Sequence, residues 1–459
     1  MGRHGGMVIV FVGWEFVSRR SGDTTMNGMR IAYITSGAAG MYCGSCMKDN
    51  TLAAALNARG HDAQLIPTYT PIRTDEDDVS QGRVFFGGIN IFLEQKSWLF
   101  RQTPWFLDKL LNAPWMLRWV SRFAVRTQAQ KLGGLTISML QGAHGKQRKE
   151  VDKLVQYLRD DVKPDVIVLS NLLISGLVPQ VKEALKVPII GTLQGDDIYL
   201  EALHAKHRGP SIDLIRENAR LMHGQLATSR YYADFMATYL GIPRDSIHVV
   251  HPGIKLKGIE PAKEVRRQPP YTIGYFARIC KEKGFHQITE AFRLLRAQPG
   301  CPPCRLKISG WLGGNNVQYF EAEMAKLRDA GLAGDVEHVP SPDHAGKLEF
   351  LRSLDVLSVP TTYHEPKGLY VLEALAQGVP VVQPRHGSFP ELLEMTGGGL
   401  LVEPDSPAAL AVGLRQMLDD ADLREHCAVN GQRAVHELFT AERMAASTVE
   451  VLRKLTATP

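Results

Sequence analysis

Apolar residues along this chain fall into short runs, separated by longer stretches in which apolar positions recur every three or four residues. The short runs are rich in Val, Ile and Leu and apolar on both alternations, so each reads as a strand buried on both faces, as in a parallel sheet under helices. In the first half they are Arg30–Thr35, Ala63–Ile66, Asp165–Leu169, Pro188–Thr192, Gln225–Thr228 and Ile247–Val250. In the second half they are Thr272–Phe276, Arg305–Ile308, Asp335–Val339, Asp355–Val359, Pro380–Gln383 and Gly399–Val402. Stretches such as Lys149–Asp160 and Ser406–Leu418 read as crossover helices, and Pro407 just inside Ser406 makes a good helix entry.

Two such series predict an α/β protein of two facing, Rossmann-like, doubly wound domains, and 459 residues are too many for one ordinary core. The first domain is expected over 29–255, with an insertion at about 70–145, and the second over 271–437. Residues 256–270 are charged, contain proline and are poor in large apolar residues, as a linker should be. Residues 438–459 read as a C-terminal helix placed to cross back to the first domain. At the other end, Met7–Val17 looks like a short signal core, but Glu15 interrupts it and no small-x-small cleavage site follows. Residues 1–28 are therefore read as a disordered or spurious extension, with Met1, Met26 and Met29 as alternative starts. Ligands of open parallel sheets bind beyond the carboxyl ends of the strands, which puts the chemistry between the domains.

Composition narrows the class. Apolar residues make up 44% and charged residues 22%, the balance of a soluble enzyme. The net charge of +5 comes without a concentrated basic block, so nucleic acid is not the expected partner, and anionic small molecules or a membrane surface are. No run of 18 apolar residues exists to span a membrane, and the expected location is cytoplasmic. Two CxxC pairs, Cys43/Cys46 and Cys301/Cys304, are 255 residues apart (301 − 46). That separation favours two reduced pairs over a shared four-thiolate zinc site.

The string Pro360-Thr-Thr-Tyr-His-Glu365-Pro-Lys-Gly-Leu-Tyr-Val-Leu-Glu373-Ala-Leu-Ala-Gln-Gly378-Val-Pro380 carries the strongest chemical signal. A strand ends near Pro360, a loop follows, and a helix opens near Gly368 and stops at Gly378, a favoured C-terminal residue. The amides of Gly368, Leu369 and Tyr370 open that helix without intrahelical partners, and their partial positive charge suits a phosphate. A glycine at 368 lets an anion approach the backbone. Seven residues separate Glu365 from Glu373, at most about 12 Å along a helix axis. The two carboxylates can serve opposite ends of one ligand whose diphosphate lies on the amides, the layout a nucleotide sugar requires. The bland alternative is a surface helix with two solvated glutamates.

This string resembles the E-P-F-G-L-x-x-x-E signature of retaining glycosyltransferases of family 4. Ala277-Arg278-Ile-Cys-Lys-Glu-Lys283-Gly284 resembles the family's G-R-L-x-x-x-K-G, and Pro380–Glu391 its P-V-V-x-x-x-x-G-G-x-P-E with Ser388 for the second glycine. Arg59-Gly60-His61-Asp62 resembles its R-G-H-x-V. The match is good over roughly 271–440, fair over 30–66 and 165–255, and absent over 70–145. The resemblance implies the GT-B fold and a retaining transfer that needs neither metal nor cofactor, with a nucleotide diphosphate sugar as substrate. It assigns the diphosphate to Arg278 and Lys283, the sugar hydroxyls to Glu365 and the ribose hydroxyls to Glu373. Gly44 aligns with the second glycine of the family's G-G pair, in the glycine-rich loop Gly37–Ser45, and Cys43 takes the first place. Gln194 stands where the family has His, near the acceptor; Gln can bond a hydroxyl but cannot act as a base. Asp196 is then a candidate helper, with a helix cap at Asp196 or Asp197 as the alternative.

Remaining features are weighed more plainly. Asp75-Glu-Asp77 and Asp420-Ala-Asp422 match the D-x-D of metal-dependent transferases, but both lie in polar stretches without a preceding strand and read as solvated. No cluster of ligating residues suggests a metal. Ser97–Arg126 holds four of the six tryptophans with five basic residues against Asp108. That mixture suits a membrane interface and a lipid-linked acceptor, with peripheral contact on the inner membrane face; inward-packed aromatics with solvated arginines are the alternative. Rival functions are a nucleotide-sugar-binding protein without turnover and a GT-B epimerase, which would need acid/base side chains not seen here.

Overall fold

The all-apolar strand pattern has a direct consequence at β1 (Arg30–Thr35), where Ile31 and Tyr33 enter one core and Ala32 and Ile34 another, on opposite faces. In the computed structural model, which describes residues 28–37, 43–81, 84, 132–259, 265–340 and 342–457, every expected run forms a strand. The first sheet adds β2 (Asp62–Pro67), β3 (Val166–Leu169), β4 (Ile189–Leu193), β5 (Gly224–Ala227) and β6 (Ile247–Val249). Its six strands lie in the order β2-β1-β3-β4-β5-β6, all parallel. The second sheet holds β7 (Tyr271–Phe276), β8 (Cys304–Gly310), β9 (Val336–Pro340), β10 (Val356–Leu357), β11 (Val381–Pro384) and β12 (Gly399–Val402). Its order is β12-β11-β10-β7-β8-β9, again parallel throughout. Each order reverses direction once, beside β1 in the first sheet and beside β7 in the second, and the loops leaving those strands border the crevice where α/β sheets bind ligands.

The second domain has one continuous core, from Ile254 to Phe439. The final helix, Ala441–Thr456, belongs elsewhere: Met444, Ala445, Val449 and Leu452 pack with Ile31, Tyr33 and Leu52 of the first domain. The chain thus crosses between domains twice, near Ile254 and near Thr440. The crossings pair with each other, the Ile254 amide on the Phe439 carbonyl and the Ala441 amide on the Ile254 carbonyl, both at 2.9 Å.

Helix ends follow local chemistry. Ser406 caps Pro407–Asp419 by accepting the Ala409 amide at 3.1 Å. The helix expected over Lys149–Asp160 runs Arg148–Tyr157, then widens into a π turn, Leu158–Val162, closed by Lys163 at φ 49°. Asp420 caps Ala421–Leu438, and Asp422 is solvated as expected. The solvated reading of Asp75 is overturned: its side chain is 6% exposed because Lys347 meets it at 2.5 Å. Glu76 is likewise held, by Lys255 at 2.7 Å. The N-terminal stretch up to residue 27 and the aromatic–basic segment 97–126 lie outside the described residues.

Candidate active site between the sheets

Two loops from the second sheet meet at the crevice. The loop after β7 carries Arg278 and Lys283 and turns at Gly284, whose φ is 69° and where an added Cβ would stand 1.7 Å from the Pro360 carbonyl oxygen. Only glycine lets these loops touch. The loop after β10 carries Glu365 and leads into the helix Leu369–Ala376. Gly387, at φ 60°, backs it closely: a Cβ there would lie 2.5 Å from the Glu365 nitrogen.

Glu365 is the hub. Its Oε2 accepts from Lys283 Nζ at 2.7 Å, Tyr363 Oη at 2.8 Å and Tyr370 Oη at 3.1 Å. Its Oε1 accepts the amides of Lys367 and Gly368, both at 3.3 Å. Burial alone would raise this carboxyl, but the charge and hydrogen bond of Lys283, joined by Tyr363, outweigh it and hold the group at about 2. Lys283 also lies 5.0 Å from the Tyr363 ring centre and 4.9 Å from that of Tyr370. One expectation changes here. The Gly368 amide is not free, because Glu365 itself caps the helix; the Leu369 and Tyr370 amides remain without a partner among the described residues. Arg278 likewise has no ion pair or side-chain hydrogen bond among the described residues.

Glu373 sits one turn into the helix and takes a different partner, Lys347 at 2.8 Å, which also binds Asp75 of the first domain. The cleft has two lobes. One, of about 670 Å³, is lined by Glu365, Lys367, Gln194 and Cys43. The other, of about 150 Å³, is lined by Glu373, Lys347, Phe276 and Asp75. Gly44, Arg278, Lys283, Trp311, Leu369 and Tyr370 line both. The two glutamates therefore lie in different lobes joined by cations and open amides.

Although Gln194 borders the larger lobe, the side chains of the acceptor-side candidates are spent on internal bonds. Gln194 is 3% exposed; its Nε2 donates to Asp49 and to the Ser170 carbonyl, and its Oε1 accepts from Lys48 Nζ at 3.3 Å. It is not free to hold an acceptor hydroxyl. Asp196 accepts the Leu172 amide at 2.7 Å and the Gln194 amide at 3.2 Å, so it braces the turn beneath the cleft and does not face it. Nor does it cap its own helix, whose N-cap is Gly195. Burial, against those amides, pushes its carboxyl up to about 6. Asp197 is taken by Tyr232.

Three features went unread in the sequence. Lys48 and Asp49 form a buried pair, 4% and 0% exposed, tied to Tyr33 and Gln194; charged residues on a helix ordinarily read as solvated. Asp75 and Lys347 meet only through the fold. Lys367, 7% exposed, reaches across the cleft to Ser45 Oγ and the Gln194 carbonyl, both at 2.7 Å. Its signal was visible: it stands at the phenylalanine of the E-P-F-G-L string.

Comparison with known proteins identifies the family and the fold. A model described as Glycosyltransferase Family 4 matches residues 140–257, and one described as Glycosyl transferases group 1 matches 257–434. D-inositol 3-phosphate glycosyltransferase of Paenarthrobacter aurescens is 31% identical over 48% of this chain and 55% of its own length; the chain thus spans about half of that relative. The lipopolysaccharide core biosynthesis mannosyltransferase LpsB of Rhizobium meliloti is 28% identical over 56% of this chain and 72% of its own. Among solved structures, sucrose-phosphate synthase from Thermosynechococcus elongatus superposes at TM-score 0.67 and 18% identity, covering 94% of this chain and 99% of that one. Anabaena HepE in complex with UDP superposes at 0.64 and 16% identity, covering 93% and 100%. These last two likenesses show the fold, the GT-B arrangement of two facing domains.

Proposed function

The chain carries the Family 4 and group 1 glycosyltransferase domains, matched from residue 140 to residue 434, and on that footing we propose that it transfers a sugar from a nucleotide diphosphate sugar to an acceptor hydroxyl, with retention at the anomeric carbon. The observation that carries the reading is the pair of joined lobes, with Glu365 in one, Glu373 in the other, and Arg278, Lys283 and the Leu369 and Tyr370 amides bordering both.

In this reading the diphosphate lies across those shared groups. Negative charge grows on the leaving oxygens as the sugar–phosphate bond breaks, and donors fixed beforehand stabilise it without reorganisation. Among the described residues no carboxylate forms an ion pair with Arg278, and Lys283 keeps ammonium hydrogens beyond the one given to Glu365. The two cations supply the charge for which other transferases use a metal, so the reaction is proposed to be metal-independent. Glu365 stays ionised and already receives five donors. A sugar hydroxyl must therefore displace one of its 3.3 Å amide contacts, and its first task is to fix Lys283. Glu373, answered by Lys347, takes the ribose hydroxyls. With Gln194 and Asp196 committed to internal bonds, the acceptor proton passes to the departing phosphate oxygen on the same face of the sugar.

The test is nucleoside diphosphate release from a panel of donor sugars, with acceptors, in excess EDTA, followed by NMR of the early product. Release in EDTA with the anomeric configuration kept supports the reading, and an inverted product refutes it. The acceptor is proposed to be amphipathic or lipid-linked and received through residues 97–126. Absence of co-sedimentation with anionic vesicles at low salt ends that part alone.

A further inference from the structure

The pair Cys43 and Cys46 takes no part in the transfer chemistry above, yet it forms part of the cleft wall. Cys43 is the N-cap of the helix Gly44–Ala58, with extended backbone at φ −119° and ψ 121°. The Met47 amide closes the first turn on its carbonyl at 3.0 Å. Cys46 lies one turn along, three residues on, and is 2% exposed. Cys43 is half-buried and lines the 670 Å³ lobe together with Arg278 and Lys367. One thiol thus faces the cleft at a helix start beside cations, and its partner waits behind it within reach. Residues three apart across a helix start fall in the Cα separation a disulfide accepts, and a helix N-terminus with nearby cations favours the thiolate.

The two thiols are also unequal. The neighbouring Cys46 thiol is the largest influence on Cys43 and, with Lys367, holds that thiol well below the ordinary range against burial. The Cys43 thiol, burial and Asp49 hold Cys46 well above it. Cys301 and Cys304 share the spacing but not the setting. They stand before and at the start of β8, not on a helix, and burial, then Cys301, pushes Cys304 up to about 12.

We propose that Cys43 and Cys46 form a thiol-modification site whose substrates are low-molecular-weight disulfides. The Cys43 thiolate attacks one sulfur of the disulfide; a Cys43–sulfur bond forms, the sulfur–sulfur bond breaks, and one small thiolate leaves. Cys46 then loses its proton to water and attacks the Cys43 sulfur, forming the Cys43–Cys46 bond and expelling the second small thiolate. Two electrons pass from the protein dithiol to the small disulfide, which is reduced to two thiols. The mixed disulfide projects into the lobe that also holds Arg278 and Lys283, so an anion seated there and the adduct exclude one another.

The test uses the full wild-type chain. Iodoacetamide at neutral pH is expected to label Cys43 about tenfold faster than Cys301, read by peptide mass. Oxidised glutathione is expected to yield a peptide linked between residues 43 and 46, and Cys46→Ser to stop at the glutathione adduct on Cys43. Equal labelling of Cys43 and Cys301, or no 43–46 linkage, overturns the proposal. Nucleoside diphosphates are added as a separate arm and are expected to slow Cys43 labelling. Linkage without any such protection leaves the thiol site standing and counts against the donor-site reading instead.

Discussion

At the scale of single residues the site depends on which charges are already answered. Arg278 holds nothing else in the described structure, so Arg278→Ala is expected to lower turnover by about 10²–10³-fold with little change in melting temperature. Lys283→Ala is expected to lower both, because it strands the buried Glu365 carboxylate. Steady-state kinetics with thermal melts separate the two, and near-wild-type turnover in Arg278→Ala refutes the diphosphate role. Asp196 gives a pH test. Its folded-state value is raised to about 6 from an ordinary 3.8, with burial as the leading cause. A raised acid favours folding while protonated: the contribution is full below the unfolded value and is lost as pH rises through about 6. Asp196→Asn removes that titration. Wild type should therefore lose stability relative to the variant between pH 4 and 6, by up to about 3 kcal/mol at about 1.4 kcal/mol per unit. Urea melts across that range check it, and parallel curves for the two proteins refute it.

At the scale of elements, strands were the most legible part of the chain. Runs apolar on both alternations can satisfy their backbone and bury both faces only inside a covered parallel sheet, and all twelve became strands within a residue or two of expectation, except β10, which is shorter. Helix ends were less legible because they answer to neighbours. The expected donor Gly368 lost its free amide to Glu365, a capping contact that depends on the loop's path. The last helix shows the same dependence. Leu452 is fully buried against the first domain, and Leu452→Ala is expected to destabilise by about 2–5 kcal/mol. The loss should appear as an earlier unfolding step of the first domain in calorimetry, and an unchanged thermogram would sink the assignment.

At the scale of the whole molecule, the two sheets are held together by contacts between residues far apart in sequence. Lys367 bonds Ser45 and Gln194, and Thr228 Oγ1 bonds the Pro366 carbonyl at 2.7 Å. Lys347 lies between Glu373 and Asp75, all three largely buried. Removing one partner of a buried charge cluster is costly. Because Glu373 still answers Lys347, Asp75→Asn is expected to cost about 3 kcal/mol or less, and to widen the cleft. Small-angle scattering and thermal melts read both effects; an unchanged radius of gyration and melting temperature would show that Asp75 does not hold the domains.

The sequence by itself determined the two parallel sheets, because a run apolar on both faces has one stable setting. Through its motifs, and the family resemblance they carry, it also nominated Arg278, Lys283, Glu365 and Glu373, groups at strand ends and a helix start that fall on the same rim. Only the tertiary structure decided which of those charges are free. Gln194 and Asp196 look available along the chain, yet their side chains are spent on internal bonds. Asp75 and Lys48 look solvated, yet they are buried and paired. The deciding partners lie across the fold, as Lys347 does for Asp75 and Gln194 for Lys48. Whether burial or pairing governs a charge is therefore fixed when the two sheets close on one another.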